Sequence, residues 1–215
     1  MKFSLLRPLC AAVFITAGGL SSGQNIEPVS GSQIGWASQA FATNYMADGV
    51  TTFEQAGQPI YFQLGTFTQG FDPSTASPEQ WASNWLVLQG TDGSPQVVYD
   101  TGDQQFIQTS TLTSNATPVV EGGQAYIWGF TSKDVNPTSQ WILLAAPAWK
   151  WPNAGALQSA TFSVSDATPQ NAIMGSVNPT GGGFHMQLEY VVVPEPSASL
   201  LAAAAAFGLV WRRRR

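Results

Sequence analysis

Two apolar runs decide the fold class of this chain: Ala125-Tyr126-Ile127-Trp128-Gly129-Phe130-Thr131 and Gln140-Trp141-Ile142-Leu143-Leu144-Ala145. Each has the length of a β-strand and is too short for a typical helix. Both are rich in aromatic and branched side chains, and turn-forming Gly, Pro, Asn or Asp residues lie beyond their ends. We therefore predict a β-strand for each run.

Short runs of the same kind recur from Ile34 onward, with apolar and polar residues alternating between turn-forming borders. No long segment shows helical periodicity, and no βαβ order is present. The predicted fold class is therefore mainly β, an antiparallel, jelly-roll-like β-sandwich at residues 24–192, which we call the body. The further predicted strands are residues 60–66, 85–89, 96–99, 160–165 and 185–193.

One helix is predicted in the body, at residues 77–84. Ser77 can cap its first turn, Pro78 fits the first helical position, and Glu79 is favoured near a helix N-terminus.

Residues 67–81 and 130–141 are loosely alike, because each runs from a Phe through an Asp-Pro or Asn-Pro turn to a Trp. Two explanations fit this likeness. The unit is duplicated, or Asx-Pro-Ser/Thr is simply favourable turn chemistry.

The charge of the body excludes one class of function. Only 10% of the whole chain is charged, against about 25% in an average soluble domain. Twelve acidic residues lie in the body beside only Lys133 and Lys150, which gives a net charge near −10. Such a body repels phosphate backbones and anionic membrane surfaces, so we expect no nucleic-acid partner.

Residues 1–23 have the three-part layout of a secretory signal peptide. Lys2 and Arg7 precede an apolar run, and small residues such as Ser21 and Gly23 close the segment. The apolar run is shorter than the about 20 residues that a membrane span needs. We predict export and cleavage by signal peptidase. The mature chain then lacks cysteine, because Cys10 is the only one, and it has no thiolate or disulfide chemistry.

The C-terminal tail, residues 193–215, places three chemically different segments in order. Val193-Pro194-Glu195-Pro196 precedes an apolar stretch, and Arg212, Arg213, Arg214 and Arg215 follow it. The arginines favour the cytoplasmic side of a membrane, so they predict a stop-transfer signal. A helix over residues 197–211 rises about 22 Å, less than the roughly 30 Å hydrocarbon core. We therefore predict a short transmembrane helix that holds the chain briefly in the inner membrane.

This tail resembles the PEP-CTERM sorting signal of Gram-negative bacteria, because a Pro-Glu-Pro triplet and a terminal Arg cluster flank one apolar segment in a chain with a signal peptide. The resemblance implies processing by exosortase, a membrane transpeptidase, and a destination at the cell surface, in exopolysaccharide or in biofilm. It implies nothing about the activity of the body. An ordinary C-terminal anchor with a proline-rich stalk is the alternative.

The chain offers few candidate residues for the common hydrolytic mechanisms. A Ser or Cys nucleophile needs a base, and the chain offers only His185, which we expect to be a partly exposed strand residue. One histidine cannot make the usual zinc site, and Asp100-Thr101-Gly102-Asp103 has too few ligands for an EF-hand. We therefore predict no catalytic residues, no metal and no cofactor.

A carboxylate pair is the remaining catalytic possibility, since a glycosidase needs two acids facing each other. Sequence spacing does not say which acids meet, and solvation of turns is the alternative role. The candidates are Glu54, Glu79, Asp100, Asp103 and Glu121.

Seven tryptophans lie in the body, and their indoles either fill a core or stack on sugar rings. Core packing is the expectation for most of them. Trp149 and Trp151 are the candidates for glycan stacking, because they alternate on one predicted face and Pro147 and Pro152 indicate an edge or loop.

The sequence as a whole favours a non-enzymatic protein that is exported, anchored for a time in the inner membrane, and then placed at the cell surface or in the extracellular matrix. Its expected partners are signal peptidase, exosortase and exopolysaccharide. A polysaccharide-binding module is the first alternative function, and a carboxylate-based glycosidase is the second.

Overall fold

A computed structural model describes residues 31–178 and 184–192. These residues are mainly β, as predicted, with one short α-helix, α1 Trp81–Asn84. The strands are β1 Ser32–Ala37, β2 Tyr61–Phe67, β3 Trp85–Val87, β4 Val97–Val98, β5 Ile107–Leu112, β6 Tyr126–Phe130, β7 Gln140–Leu144, β8 Ser159–Ser163, β9 Ala172–Met174, β10 Ser176–Asn178, β11 His185–Gln187 and β12 Glu189–Tyr190. The 3₁₀ turns are Phe53–Gln55, Pro78–Gln80, Ala154–Ala156, Val164–Asp166 and Pro169–Asn171.

The strands form one large sheet and two small ones. The central sheet has the order β12-β7-β6-β2-β3, with β4 also paired to β2 and β9 to β7. A small sheet has the order β5-β1-β8, and β10 pairs with β11. The ladders are antiparallel except that of β1 with β8, which is parallel. The prediction of antiparallel sheets is therefore confirmed in its main part.

The central sheet buries both of its faces, which explains its continuous apolar runs. Because side chains alternate along a strand, Ile127 of β6 points to one face while Trp128 points to the other. Gly129 lies between β2 and β7 where there is no room for a side chain. A Cβ atom there would lie 2.5 Å from a ring carbon of Phe62.

One face of the central sheet shares a hydrophobic core with the small sheet, and we call it the inner core. Strand β1, the first described strand, packs in this core against β2, β6 and β7 from the middle of the chain. Its largest members from these strands are Ile34, Trp36, Phe62, Leu64, Ile127, Ile142 and Leu144.

The other face of the central sheet carries a second cluster, which we call the outer aromatic cluster. Helix α1 contributes Trp81 to this cluster, and Val191, the residue after β12, also packs in it. Trp85 donates a hydrogen bond from Nε1 to Oε1 of Gln63 at 2.8 Å, so a buried polar pair accompanies the rings. The buried members are Phe67, Trp81, Trp85, Trp128, Phe130, Trp141, Leu143, Met174 and Val191.

Several predicted elements need correction. Residues 185–193 do not form one strand, because β11 and β12 pair with different partners. The predicted helix at 77–84 is a 3₁₀ turn followed by α1, and Ser77 makes no side-chain capping bond. Strands β1, β5, β9 and β10 were not predicted. The Ser, Thr, Gln and Gly residues of β1 and β5 resemble turn sequence, and β9 and β10 have only three residues each.

The predicted signal peptide at 1–23, the tail motif Val193 to Pro196, the apolar helix at 197–211 and the arginines Arg212 to Arg215 lie outside the described residues. Within the ranges 31–178 and 184–192, no helix is long and apolar enough to cross a membrane.

Candidate functional site

The junction between body and tail is built on the edge of the central sheet. Tyr190 of β12 pairs with Gln140 of β7, and the next residue, Val191, donates its backbone N–H to Ser139 O at 2.9 Å. Val191 is 2% exposed, whereas Val192 is 72% exposed. Val191 is therefore the last buried residue of the body, and the next residue is exposed to solvent.

The backbone beside the junction is held by a side chain as well. Glu189 accepts a hydrogen bond from the Gly175 backbone N–H on Oε2 at 2.9 Å. A groove of about 390 Å³ opens next to it, lined in part by Ala47, Gln187 and Tyr190. The junction thus combines an edge strand held by backbone and side-chain hydrogen bonds with an adjacent groove.

The outer aromatic cluster lies behind this edge and brings two distant turns together. Trp81 and Trp141 stack with ring centroids 5.8 Å apart and an interplanar angle of 27°. The turn before Trp81 is formed by Asp72, whose Oδ1 accepts the backbone N–H of Ser74 at 2.9 Å. Asn136 accepts the N–H of Thr138 at 2.9 Å in the turn before Trp141. Both turns therefore use the same Asx chemistry, which a duplicated unit and independent turns share.

Lys133 covers the exposed side of this cluster. Its Nζ lies 4.9 Å from the centroid of Trp128 and 5.3 Å from that of Phe130. Burial lowers the pKa of Lys133 to about 8, because the apolar surroundings disfavour the charged form. The contact of the ammonium with two ring faces opposes this effect.

Trp149 and Trp151 are buried in the inner core, so the expectation that they stack on glycans is wrong. They are 0% and 1% exposed, and both contact the ring of Phe162. Trp149 donates from Nε1 to Oδ2 of Asp166 at 3.3 Å. Neither residue lies in a strand, and backbone hydrogen bonds to the segment around Gly123 turn both rings inward.

Three of the five candidate carboxylates hold local structure. Glu54 accepts a hydrogen bond from the Tyr99 hydroxyl at 3.1 Å, and Glu121 accepts one from Asn153 at 2.9 Å. Oδ1 of Asp100 accepts backbone N–H groups of Gly102 and Asp103, which closes a turn. Glu79 lies in the first turn of a 3₁₀ helix.

Burial is the main cause that raises the pKa of Tyr99, and the Glu54 carboxylate adds to it. The tyrosine therefore remains a neutral hydrogen-bond donor to Glu54. In the described part of the chain, no group of three or more His, Cys, Asp and Glu residues could hold a metal ion.

His185 begins β11 and is partly buried, as predicted. Its ring meets that of Tyr45 edge to face, with centroids 5.5 Å apart.

A groove of about 240 Å³ at the rim of the outer aromatic cluster was missed by sequence reasoning. The loop 68–71 forms one wall and the segment 117–120 the other, with the start of β6 as the floor. Phe71 and Tyr126 are its partly exposed aromatic residues. They lie far apart in the sequence, and only the pairing of β2 with β6 brings them together.

Comparison with protein families gives one match. Residues 192–215 match the PEP-CTERM protein-sorting motif, so the resemblance predicted from the tail is confirmed. The match begins at Val192, immediately after the last buried residue of the junction. Among curated proteins and among solved structures, no match to the chain was found.

Proposed function

We propose that this chain, which carries a PEP-CTERM protein-sorting motif, is a non-enzymatic protein of the cell surface or the exopolysaccharide matrix. The motif indicates an exported protein that exosortase sorts to the cell surface, and this match is the observation that carries the proposal. The matrix role and the absence of catalysis are the parts that go beyond it.

The geometry of the junction supports processing at this point. A membrane enzyme needs an extended segment that is free of the folded domain, and the last buried contact of the body is that of Val191. The prolines at 194 and 196 cannot continue a sheet ladder, because they lack the backbone N–H. In this proposal, the body presents the tail to the enzyme from the exposed Val192 onward.

The proposed route has three steps. Signal peptidase removes residues 1–23, the Arg cluster at 212–215 stops translocation in the inner membrane, and exosortase acts on the segment that contains Pro194, Glu195 and Pro196. Transient anchoring follows from the short apolar stretch, which underfills the hydrocarbon core.

A structural role for the body is supported by the contacts of its acids. Three of the candidate carboxylates, those of Glu54, Asp100 and Glu121, accept hydrogen bonds from a hydroxyl, backbone N–H groups and an amide. A glycosidase instead needs two carboxyl groups that face each other across a groove. We therefore propose surface or matrix assembly as the function and no hydrolytic activity.

Two tail variants test the sorting proposal in a host that has an exosortase. Replacing Pro194, Glu195 and Pro196 by alanine leaves insertion intact and blocks processing, so the full-length mass accumulates in the membrane fraction. Replacing the four arginines by glutamine weakens membrane retention, because the charges no longer resist translocation. The matched control is Glu79→Gln, which changes an exposed carboxylate outside the matched residues and away from the junction strand β12.

Equal C-terminal masses and equal membrane fractions for the alanine variant and the parent would show that the tail is an ordinary anchor. That outcome would overturn the proposed function.

The finer form of the fold also stays a proposal. We infer a jelly-roll-like sandwich in which the small sheet covers the central sheet, supported by the inner core that the two sheets share. An experimental structure that places the small sheet elsewhere would contradict it.

A further inference from the structure

We propose that the groove between loop 68–71 and segment 117–120 binds one ring of a neutral polysaccharide, with Phe71 and Tyr126 as its stacking surfaces. The inference adds a ligand to the proposed matrix role. It rests on that role only for its biological setting, since binding by the body does not depend on the tail.

The aromatic surfaces of the groove are fixed in place by a buried ring. Phe67 is 4% exposed and stacks on Phe71, with centroids 5.1 Å apart and an interplanar angle of 26°. Tyr126 meets Phe67 edge to face at 5.3 Å. Phe71 and Tyr126 therefore need little ordering on binding, which lowers the entropic cost of stacking a sugar ring on them.

Two threonines of the groove already make hydrogen bonds within the described part of the body, whereas one glutamine amide does not. Thr66 donates from Oγ1 to Gln124 O at 3.2 Å, and Thr68 donates to Asn84 at 2.7 Å, so both are fixed parts of the wall. Within the described residues, the Gln69 amide makes no hydrogen bond. An exposed amide beside aromatic faces suits a ligand with an apolar face and hydroxyl groups at its edge, which describes a sugar ring.

Charge selects a neutral sugar over an acidic one. The residues that line the groove include no Asp, Glu, Lys, Arg or His. Burial raises the pKa of the Tyr126 hydroxyl, and the nearby carboxylate of Asp72 raises it further, so this hydroxyl stays a neutral donor. Hydrogen bonds from Ser74 lower the pKa of Asp72 and keep it anionic. One ammonium lies beside the groove, since Lys150 donates from Nζ to Oε1 of the lining residue Gln124 at 3.0 Å. The net charge of the body, near −10, nevertheless repels an acidic polysaccharide.

The size of the groove sets the length of ligand that it contacts. A volume of about 240 Å³ is below the about 300–1,000 Å³ of pockets for drug-sized ligands. The groove therefore holds about one sugar ring, so each site binds weakly. A polymer with many rings presents many such contacts, and retention on the polymer is then stronger than binding of a monosaccharide.

Affinity electrophoresis of the full-length chain tests the proposal. The gels contain the neutral polymers dextran, galactomannan or hydroxyethylcellulose, or the acidic polymer alginate. We expect at least one neutral polymer to retard the chain and alginate not to retard it.

The variants assign the binding to this groove. Phe71→Ala lowers the association constant at least about tenfold, which corresponds to about 1.4 kcal/mol. Tyr126→Phe and Gln69→Ala lower it less, since each removes only a hydrogen-bonding group. Phe41→Ala is the matched control, because Phe41 is 74% exposed and lies outside the groove.

Three outcomes overturn the proposal: no neutral polymer retards the chain, alginate retards it as strongly, or Phe71→Ala and Gln69→Ala both migrate as the parent does. Gln69 is exposed, so its variant keeps the test valid if Phe71→Ala does not fold. Loss of binding with unchanged C-terminal processing leaves the sorting proposal intact, and lost processing with unchanged binding leaves the groove intact.

Discussion

The body and the tail differ in how their residues acquire a role. In the body, burial decides, and Trp149 and Phe71 show this clearly: the first is buried in the inner core, while the second reaches the rim of a groove. In the tail, the order of chemical types decides, because Pro-Glu-Pro, an apolar stretch and arginines in that order characterise the matched sorting motif. The tail motif can be recognised from the sequence alone, whereas a binding surface of the body can be recognised only from the fold.

The largest effect that separates the two regions comes from the outer aromatic cluster. Trp141→Ala removes a fully buried ring and the hydrogen bond from its Nε1 to Ser132 O. We expect the free energy of unfolding to fall by about 3–5 kcal/mol. Chemical denaturation measures it, with Tyr190→Ala as the control, which we expect to cost less than about 1 kcal/mol. A small effect of Trp141→Ala would mean that this cluster does not hold the body together.

Val191 tests where the body stops and the tail begins. Val191→Ala removes two buried carbons at the junction, and we expect a loss of about 1–2 kcal/mol in the free energy of unfolding. Hydrogen exchange should speed up at β12, where the ladder to β7 is only two residues long. Val192→Ala is the matched control and should change neither value. Equal hydrogen-exchange rates at β12 in the two variants would show that the body does not end at Val191.

The smallest effect concerns the pH dependence of the body. The pKa of Lys133 is about 8 in the folded protein and 10.5 in the unfolded chain, so the unfolded chain binds more protons between these values. The free energy of unfolding therefore rises as the pH increases from about 8 toward 10. Lys133 is half-buried, and solvent screening keeps the rise small.

The matched pair Lys133→Met and Lys150→Met isolates this contribution, because the difference between variants cancels the titration of tyrosines. Lys133→Met should flatten the rise, and Lys150→Met should keep it. If both variants keep the slope of the parent, the contact of Lys133 with Trp128 and Phe130 offsets the effect of burial.

Strands β6 and β7 of the central sheet could be predicted because both of their faces are buried, which leaves uninterrupted apolar runs such as the one at β7. Strand β1 could not, because Ser32, Gln33 and Gly35 dilute its alternation, and only its partners β5 and β8 define it. A parallel partner as far along the chain as β8 has no local signal in the sequence.

Of the candidate functional features, the tail could be predicted from the sequence and the groove could not. The tail motif was recognised from adjacent residues, and the family match confirms it. The groove was not predicted, since Phe71 follows β2 and Tyr126 begins β6, and no spacing rule joins them. Trp149 and Trp151 have the alternation of an exposed strand, but their backbone bonds with the Gly123 segment turn them inward.

The mass of the native C terminus tests the sorting assignment most directly. The protein is isolated from the surface of a host that has an exosortase, digested, and its C-terminal peptide is measured by mass spectrometry. Processing by exosortase predicts a peptide that ends near residues 193–196, with or without a covalently attached group, and without Arg212 to Arg215. A surface-located protein whose C-terminal peptide still ends at Arg215 would contradict the assignment.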